Sequence, residues 1–210
     1  NFRCKFAKDY CPERSDYLYN VTIQNQTIMN KTELIEAIKA SGMTKLQYIL
    51  LTHGHSDHIL GVYDLKKAYP EAMVVIADED EICLSSTQCS LAADIGLEQT
   101  PMHADKLVGD GDTFNFGTIT VKVILTPGHT PGSVCYLFDN TMFSGDTLFC
   151  RTCGRTDLFR GNLPDMQASI IKLGKLQGDY IVYPGHGIST TLDAERKTNR
   201  FMRKVEWSLL

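Results

Sequence analysis

Apolar residues in the first half of the chain follow two different spacings. Before Gly42 and again before Pro70 they recur every three or four residues, as they do along the buried face of an α-helix. Each of these stretches leads into a short apolar run, 46–51 and Met73–Ala77, of the kind that forms a buried strand. The pattern therefore predicts alternating helices and strands, which is typical of layered α/β packing.

The second half of the chain adds paired strands. Apolar and polar residues alternate over 118–123, which predicts a half-buried strand. The runs 133–138 and 141–144 flank the turn-forming pair Asp139 and Asn140, and together they predict a hairpin.

Helical spacing returns after the hairpin. It predicts helices at 164–176 and 191–202, with an apolar run at 180–183 between them that predicts a strand. The segment 77–110 is less patterned. It forms either a helical cap over a functional site or a surface insertion that does not contact the site.

The composition is that of a protein with its own apolar core. The chain has 210 residues, 43% of them hydrophobic, and we expect a single domain over 1–210. A net charge of −4 argues against a nucleic-acid partner, although Lys and Arg cluster after Glu195. No apolar run approaches the roughly 18 residues that span a bilayer, so we expect no membrane partner.

The cysteines favour a cytoplasmic protein. They number seven, an odd number scattered along the chain, which suits a reducing compartment better than a disulfide scaffold. Three Asn-x-Thr sequences begin at Asn20, Asn25 and Asn30, and these would matter only in a secreted protein. We attribute them to the local abundance of Asn and Thr.

The strongest chemical signal is the sequence HGHSDH, which starts at His53 and follows the apolar run 46–51. Neutral imidazoles and carboxylate oxygens are ligands that suit zinc, iron or manganese. On a loop that leaves a strand, His53 and His55 can face one way while Asp57 and His58 face another. This one motif can therefore serve two metal ions.

Three further candidate ligands follow predicted strands in turn-forming sequences. His129 lies in TPGHTPG, Asp146 ends SGD, and His186 lies in PGHG. Because loops on a rigid scaffold concentrate catalytic residues, we expect these side chains to join those of the first motif. His103 is the one histidine outside this pattern.

The order of these motifs resembles that of the metallo-β-lactamase superfamily, over roughly 46–191. The sequences TPGHTPGSVCYL, FSGDTLF, GRTD and YPGHG are most similar to the short, glyoxalase II-like branch, the hydroxyacylglutathione hydrolases. The resemblance implies an α/β fold, a four-layer αββα sandwich. It also implies two divalent metal ions, each with three ligands, and a carboxylate that bridges the ions together with a hydroxide. These residues are His53, His55 and His129 for one ion, Asp57, His58 and His186 for the other, and Asp146 as the bridge.

Two neighbouring cations would supply the nucleophile for hydrolysis. They lower the pKa of a shared water to about 7, so that hydroxide is available at neutral pH. One ion polarises a carbonyl oxygen, the hydroxide attacks, and the leaving group departs toward the second ion. We expect Asp57 also to orient the nucleophile. Zinc is the expected metal, and the same ligands accept iron or manganese.

Arg155, in the sequence GRTD, is a candidate substrate-binding residue. Glyoxalase II-like enzymes carry a basic residue at this place that touches a carboxylate of glutathione, and a guanidinium suits that contact. The alternative is an ion pair with Asp157 that fixes the loop. By this resemblance the protein acts on a small-molecule substrate, a thioester.

Two other features depart from the family pattern. Cys150 and Cys153 have the spacing of a redox pair, but no helix is predicted to start beside them and lower a thiol pKa. Redox chemistry or extra metal binding is therefore a minor alternative. Upstream, relatives carry an Asp-Pro-Gly turn that supports the metal loop, whereas 28–31 reads IMNK here, and weaker support of the ligands is expected.

The leading hypothesis is a binuclear hydrolase of small acyl thioesters, with hydroxyacylglutathione as the first expected substrate. A persulfide dioxygenase is the alternative, because these oxidoreductases share HxHxDH, TPGHTPG and GRTD but use one iron held by two His and one Asp. The PGHG sequence around His186 favours the hydrolase. Another ester or lactone hydrolase of the same fold stays open, whereas the commonest β-lactamases replace the bridging Asp with Cys.

Overall fold

The apolar runs of the first half build a parallel sheet. In this computed structural model, which describes residues 17–19, 35, 36, 38, 40 and 45–203, its four strands lie in the order β1-β2-β3-β4. The strands are β1 (Tyr17–Tyr19), β2 (Leu46–Leu50), β3 (Met73–Ala77) and β4 (Lys106–Val108). The two central strands, β2 and β3, are apolar almost throughout, as parallel strands covered on both faces are.

The second sheet is mainly antiparallel and has the order β12-β11-β8-β7-β6-β5. The predicted hairpin is confirmed, since β7 and β8 pair across Asp139 and Asn140. Strands β8 and β11 run parallel, so their carboxyl ends reach the same edge of the sheet. The strands are β5 (Thr113–Phe116), β6 (Ile119–Leu125), β7 (Val134–Phe138), β8 (Thr141–Gly145), β11 (Ile181–Pro184) and β12 (Thr190–Thr191). A separate two-stranded ribbon consists of β9 (Leu148–Phe149) and β10 (Thr152–Cys153).

Most of the helices cover the outer faces of the two sheets. They are α1 (Ser56–Ile59), α2 (Val62–Ala68), α3 (Asp78–Glu81), α4 (Leu163–Gly174) and α5 (Leu192–Thr198), with 3₁₀ turns at Ile82–Leu84 and Ala93–Ile95. The start of α4 is well defined, because the Asn162 side chain accepts a hydrogen bond from the Asp165 N–H at 3.0 Å. Ile35, Glu36, Ile38 and Ala40 are also helical, in the stretch where a helix was predicted before Gly42.

Three apolar clusters separate the four layers. The first packs α1 and α2 on the parallel sheet, and it joins Ile59 and Leu65 to Ile49. The second lies between the two sheets and includes Tyr136. The third packs α4 and α5 on the outer face of the second sheet. Neighbouring side chains along a strand point to opposite faces of the sheet and therefore belong to different clusters. The predicted αββα sandwich is confirmed.

Several elements differ from their predicted bounds. The helical pattern before Pro70 is interrupted, because α1 ends at Ile59 and α2 begins at Val62. The last helix ends at Thr198 rather than 202, because Asn199 leaves the helix and its amide donates to the Thr152 carbonyl at 3.0 Å. Strands β4 and β5 were not predicted. The segment 77–110 contains α3, two 3₁₀ turns and β4.

Some features of the sequence lie outside the described residues. These are the Asn-x-Thr sequences that begin at Asn20, Asn25 and Asn30, and the altered turn at 28–31. Among the residues that are described, no helix is both long and apolar enough to cross a membrane.

Candidate metal centre

The HGHSDH motif is divided by the start of a helix. His53 lies in the loop after β2, and His55 is the extended residue (φ −71°, ψ 149°) that precedes α1. Asp57 and His58 lie on α1 itself. Two candidate ligands therefore stand before the helix and two stand on it.

A first group of three imidazoles consists of His53, His55 and His129. Their candidate ligand atoms lie within 4.8 Å of one another, and all three side chains are buried. The closest pair is Nδ1 of His55 and Nε2 of His129, which are 2.9 Å apart. Three converging imidazole nitrogens can hold a divalent ion such as zinc.

A second group consists of Asp57, His58 and His186, again with ligand atoms within 4.8 Å. Nε2 of His186 is 3.1 Å from Oδ2 of Asp57 and 3.4 Å from Nε2 of His58. The side chains of Asp57 and His186 are 52% and 37% exposed, so this group is the more open of the two.

The carboxylate of Asp146 lies between the two groups. Its Oδ2 is 3.5 Å from Nε2 of His129, in the first group, and 3.4 Å from Nε2 of His186, in the second. Its Oδ1 is 3.5 Å from Nε2 of His58. A carboxylate so placed can contact an ion on either side. The structure thus brings together all seven candidate ligands that the sequence predicted.

The chemistry of these side chains fits bound cations. Nε2 of His53, Nε2 of His55 and Oδ1 of Asp146 are buried and have no hydrogen-bond partner. Buried polar atoms nearly always have a partner, so three such atoms in one cluster need an explanation. Imidazole nitrogens and carboxylate oxygens are metal ligands, and a cation would satisfy all three atoms.

The ionisation states of several of these side chains suit metal binding. Burial, reinforced by neighbouring imidazoles, keeps the pKa of His53 well below its usual value and lowers the pKa of His55 to about 3. Burial alone would raise the pKa values of Asp57 and Asp146. The electrostatic influence of the neighbouring His58 and the hydrogen bond from His186 outweigh it, and both pKa values stay below the usual range. Neutral imidazole and ionised carboxylate are the required states.

His186 differs because it contacts two carboxylates. Hydrogen bonds to Asp146 and Asp57 raise the pKa of His186 to about 10. This part of the centre therefore attracts positive charge. Because a divalent cation competes with the proton on His186, we expect metal binding to release a proton at neutral pH.

Further contacts fix the orientation of the first group. The ring of His129 donates from Nδ1 to the Arg155 carbonyl at 2.7 Å, so in the neutral ring Nε2 is the nitrogen that can bind a metal. The loop before His53 is held by the buried Tyr136, whose hydroxyl donates to the Leu51 carbonyl at 3.0 Å.

Asp80 is a buried residue that joins two loops of the centre, and the sequence did not reveal it. Its Oδ2 accepts hydrogen bonds from the Gly54 N–H at 2.9 Å and from the Thr130 hydroxyl at 2.6 Å, and its Oδ1 accepts from the Gly132 N–H at 3.0 Å. The acidic run 78–81 itself forms the short helix α3. The available signal was a strand end followed at once by four acidic residues, since a carboxylate there can face back toward neighbouring loops.

The centre opens into a cleft of about 620 Å³. Leu91 and Ile95, from the segment 77–110, line one part of it. This segment therefore contacts the site, as expected of a cap and not of a surface insertion. Leu158 and Phe149 line other parts.

Arg155 also lines the cleft, and its guanidinium is paired. Nε donates to Oδ1 of Asp157 at 2.6 Å and Nη2 donates to Oδ2 at 2.7 Å, a two-point ion pair. The pair predicted as an alternative to substrate binding is therefore present, on two exposed side chains.

Cys150 lies in the β9–β10 turn, Cys153 is the last residue of β10, and the two form no disulfide. Cys153 belongs to the third apolar cluster, and its burial raises the pKa of the thiol to about 12. A thiol so rarely ionised is poorly suited to exchange or to metal recruitment.

Several known proteins resemble this chain in sequence. A family model described as the metallo-beta-lactamase superfamily matches residues 30–186. An uncharacterised protein of Mycobacterium leprae is 40% identical over 164 residues, which cover 73% of this chain and 75% of the relative. A hydroxyacylglutathione hydrolase of Francisella philomiragia is 31% identical over 176 residues, which cover 81% of this chain but only 62% of that enzyme.

Two solved structures share most of the fold. The BLEG-1 B3 metallo-beta-lactamase superimposes with a TM-score of 0.80 at 32% identity, and the match covers 90% of each chain. TTHA1623, solved in a di-iron-bound form, gives a TM-score of 0.75 at 29% identity and covers 90% of this chain and 92% of its own.

Proposed function

Since the chain belongs to the metallo-β-lactamase superfamily, we propose that it is a binuclear, metal-dependent hydrolase of small acyl thioesters. The observation that carries this proposal is the completeness of two ligand groups with Asp146 between them. A dioxygenase with one iron would need only part of this set. Two groups at the head of a substrate-sized cleft suit hydrolysis better.

The candidate ligands would hold two ions and orient a water. His53, His55 and His129 would hold one ion, and Asp57, His58 and His186 would hold the other. When bound, the ions supply Lewis acidity for a carbonyl and lower the pKa of a nearby water toward neutrality. The half-exposed carboxylate of Asp57 borders the cleft and would orient that water. Zinc is the metal we propose, with iron supported by the di-iron form of TTHA1623.

Hydroxyacylglutathione is the first substrate to test within this class. Its support comes from relatives named hydroxyacylglutathione hydrolase, of which the chain spans 62% in the example from Francisella philomiragia and 52% in one from Rhodopseudomonas palustris. The similarity therefore covers only part of those enzymes.

A second candidate is hydrolysis of a cyclic amide, ester or lactone. The likeness to the BLEG-1 B3 metallo-beta-lactamase, over 90% of both chains, favours it. The same attack on a carbonyl would apply, with the ring nitrogen or oxygen as the leaving group.

One experiment separates these functions. The purified protein is analysed for metal and assayed with lactoylglutathione, with a chromogenic cephalosporin, and by oxygen uptake with glutathione persulfide. The proposal predicts two metals per chain and thioester hydrolysis. One iron per chain with oxygen uptake and no thioesterase activity would instead establish the dioxygenase.

A further inference from the structure

Two unusually exposed isoleucines stand at the candidate centre. Ile95, 61% exposed, lines the cleft, and Ile188, 72% exposed, lines an adjoining cleft that shares Phe149 and His186 with it. They are the two most exposed large apolar side chains among the described residues. Exposed apolar side chains grouped around a concave site are typical of a ligand-binding surface.

The apolar wall around Ile95 is held in a defined position. The Ser56 N–H, at the start of α1, donates to the Ser90 carbonyl at 2.7 Å and so ties this wall to the metal loop. Leu91, next along the chain, has φ 64°, in the left-handed region that leucine rarely adopts. Such strain persists where the surrounding structure enforces it, often at ligand sites.

Apart from the candidate metal ligands, the side chains that line the cleft present little net charge to a ligand. Arg155 is the one Lys or Arg among the described residues that line it, and Asp157 occupies the Nε–Nη2 edge of its guanidinium. A carboxylate on a substrate would therefore meet a guanidinium whose charge Asp157 already offsets and whose two-point edge is taken. Arg151 lines the adjoining cleft.

From these observations we propose that the cleft selects thioesters with uncharged, apolar acyl and thiol parts, and that Asp157 is a specificity-determining residue which keeps Arg155 from binding an anionic thiol. The apolar side chains of Leu91, Ile95 and Leu158 form the surface that such a substrate covers. This inference rests on the proposed thioester hydrolysis and narrows its substrate class.

Glutathione provides the critical contrast. It carries two carboxylates and one ammonium group, which gain little from an apolar wall and a neutralised arginine. An uncharged thiol has no charged groups whose hydration would be lost there. Between two thioesters with the same acyl group, the uncharged one is expected to be the better substrate.

The test uses the metal-loaded protein and two matched substrates, S-butanoylglutathione and S-butanoyl-N-acetylcysteamine. The parent is expected to have the higher kcat/KM for the second substrate. Asp157→Asn should shift the ratio of the two kcat/KM values toward the glutathione thioester by roughly two- to fivefold, the range set by an exposed ion pair. The double variant Asp157→Asn, Arg155→Ala should cancel that gain.

The apolar wall is tested separately. Ile95→Ser should lower kcat/KM for the uncharged thioester by roughly tenfold. Ile82→Ser is its control, because Ile82 is also exposed (48%) but does not line the cleft. Asp139→Asn is the control for Asp157, since Asp139 is exposed in the β7–β8 turn, at the other end of the strands. Both controls should behave as the parent.

A binding measurement gives a readout without turnover. S-methylglutathione, which cannot be hydrolysed, should bind Asp157→Asn roughly two- to fivefold more tightly than the parent by calorimetry. A parent that prefers the glutathione thioester, or an unchanged ratio and Kd in Asp157→Asn, overturns the specificity inference while leaving thioester hydrolysis intact. If the metal-loaded parent hydrolyses neither thioester, the proposed function itself is wrong, and the inference fails with it.

Discussion

The backbone of Gly185 lies against the carboxylate of Asp146, and a Cβ built on Gly185 would stand only 2.1 Å from Oδ1 of Asp146. The same Cβ would be 2.8 Å from Cε1 of His58. The Gly185 N–H donates to the Gly145 carbonyl at 2.8 Å, so the two loops are tied as neighbours. A residue with any side chain at 185 must therefore move at least one candidate ligand.

Gly185→Ala should disturb the centre while leaving the fold intact. The added methyl group displaces Asp146 and His58, so we expect weaker metal retention and at least a tenfold loss of hydrolysis. Metal content after dialysis and kcat measure the effect. Gly109→Ala is the matched control, because its new Cβ would meet nothing nearer than Asp112 Oδ2 at 4.0 Å. Full metal retention in Gly185→Ala would contradict this account of the site.

Replacement of Asp80 by Ala should affect both stability and metal binding. The change leaves the buried N–H groups of Gly54 and Gly132 and the hydroxyl of Thr130 without their acceptor, each at a cost of about 1–3 kcal/mol. The loops that carry His53 and His129 also lose their common support. We expect a lower Tm and a 10- to 100-fold loss of metal affinity.

Glu79→Ala is the control for Asp80, since Glu79 is the exposed acidic residue next to it on α3. Thermal unfolding with and without added metal separates the two effects. An Asp80→Ala protein that unfolds like the parent and binds metal as tightly would show that the loops support each other without it.

The long elements were predictable because their signals are local. A strand such as Met73–Ala77 is predicted by its run of apolar residues, and its predicted bounds agree with the structure. Strands β9, β10 and β12 have two residues each, which is too short for a periodicity, and only their partners define them. The end of α5 was missed because Asn199 binds the distant Thr152.

The candidate ligands were predictable for a related reason. Side chains that follow parallel strands, such as Asp146 after β8 and His186 after β11, emerge at the same edge of the sheet. The assignment of His129 and His186 to one or the other group came from the family resemblance and not from spacing. The contact between Asp80 and Thr130 joins residues 50 positions apart, and no local pattern encodes it.

Thiol labelling tests the redox interpretation of Cys150 and Cys153. Burial raises the pKa values of Cys83, Cys135 and Cys153 to about 12, so at pH 8 only about one thiol in ten thousand is ionised. Iodoacetamide should modify the partly exposed Cys150 in the folded protein and spare these three until the protein is denatured. Peptide mass spectrometry reads the result. Rapid labelling of Cys153, or recovery of a Cys150–Cys153 disulfide, would restore the redox interpretation.

His186→Ala separates the hydrolase from the dioxygenase. The side chain of His186 is 37% exposed, so its removal should leave the fold unchanged. In the hydrolase, metal content should fall from two ions toward one, and thioester hydrolysis should fall by several orders of magnitude, because one ion must then both polarise the carbonyl and activate the water. His103→Ala is the control, since His103 is an exposed histidine paired with Glu81 at 2.8 Å and outside both ligand groups. In the dioxygenase the iron would keep its ligands without His186. Oxygen uptake with a persulfide that survives His186→Ala, with no thioesterase activity in the parent, would therefore overturn the hydrolase assignment.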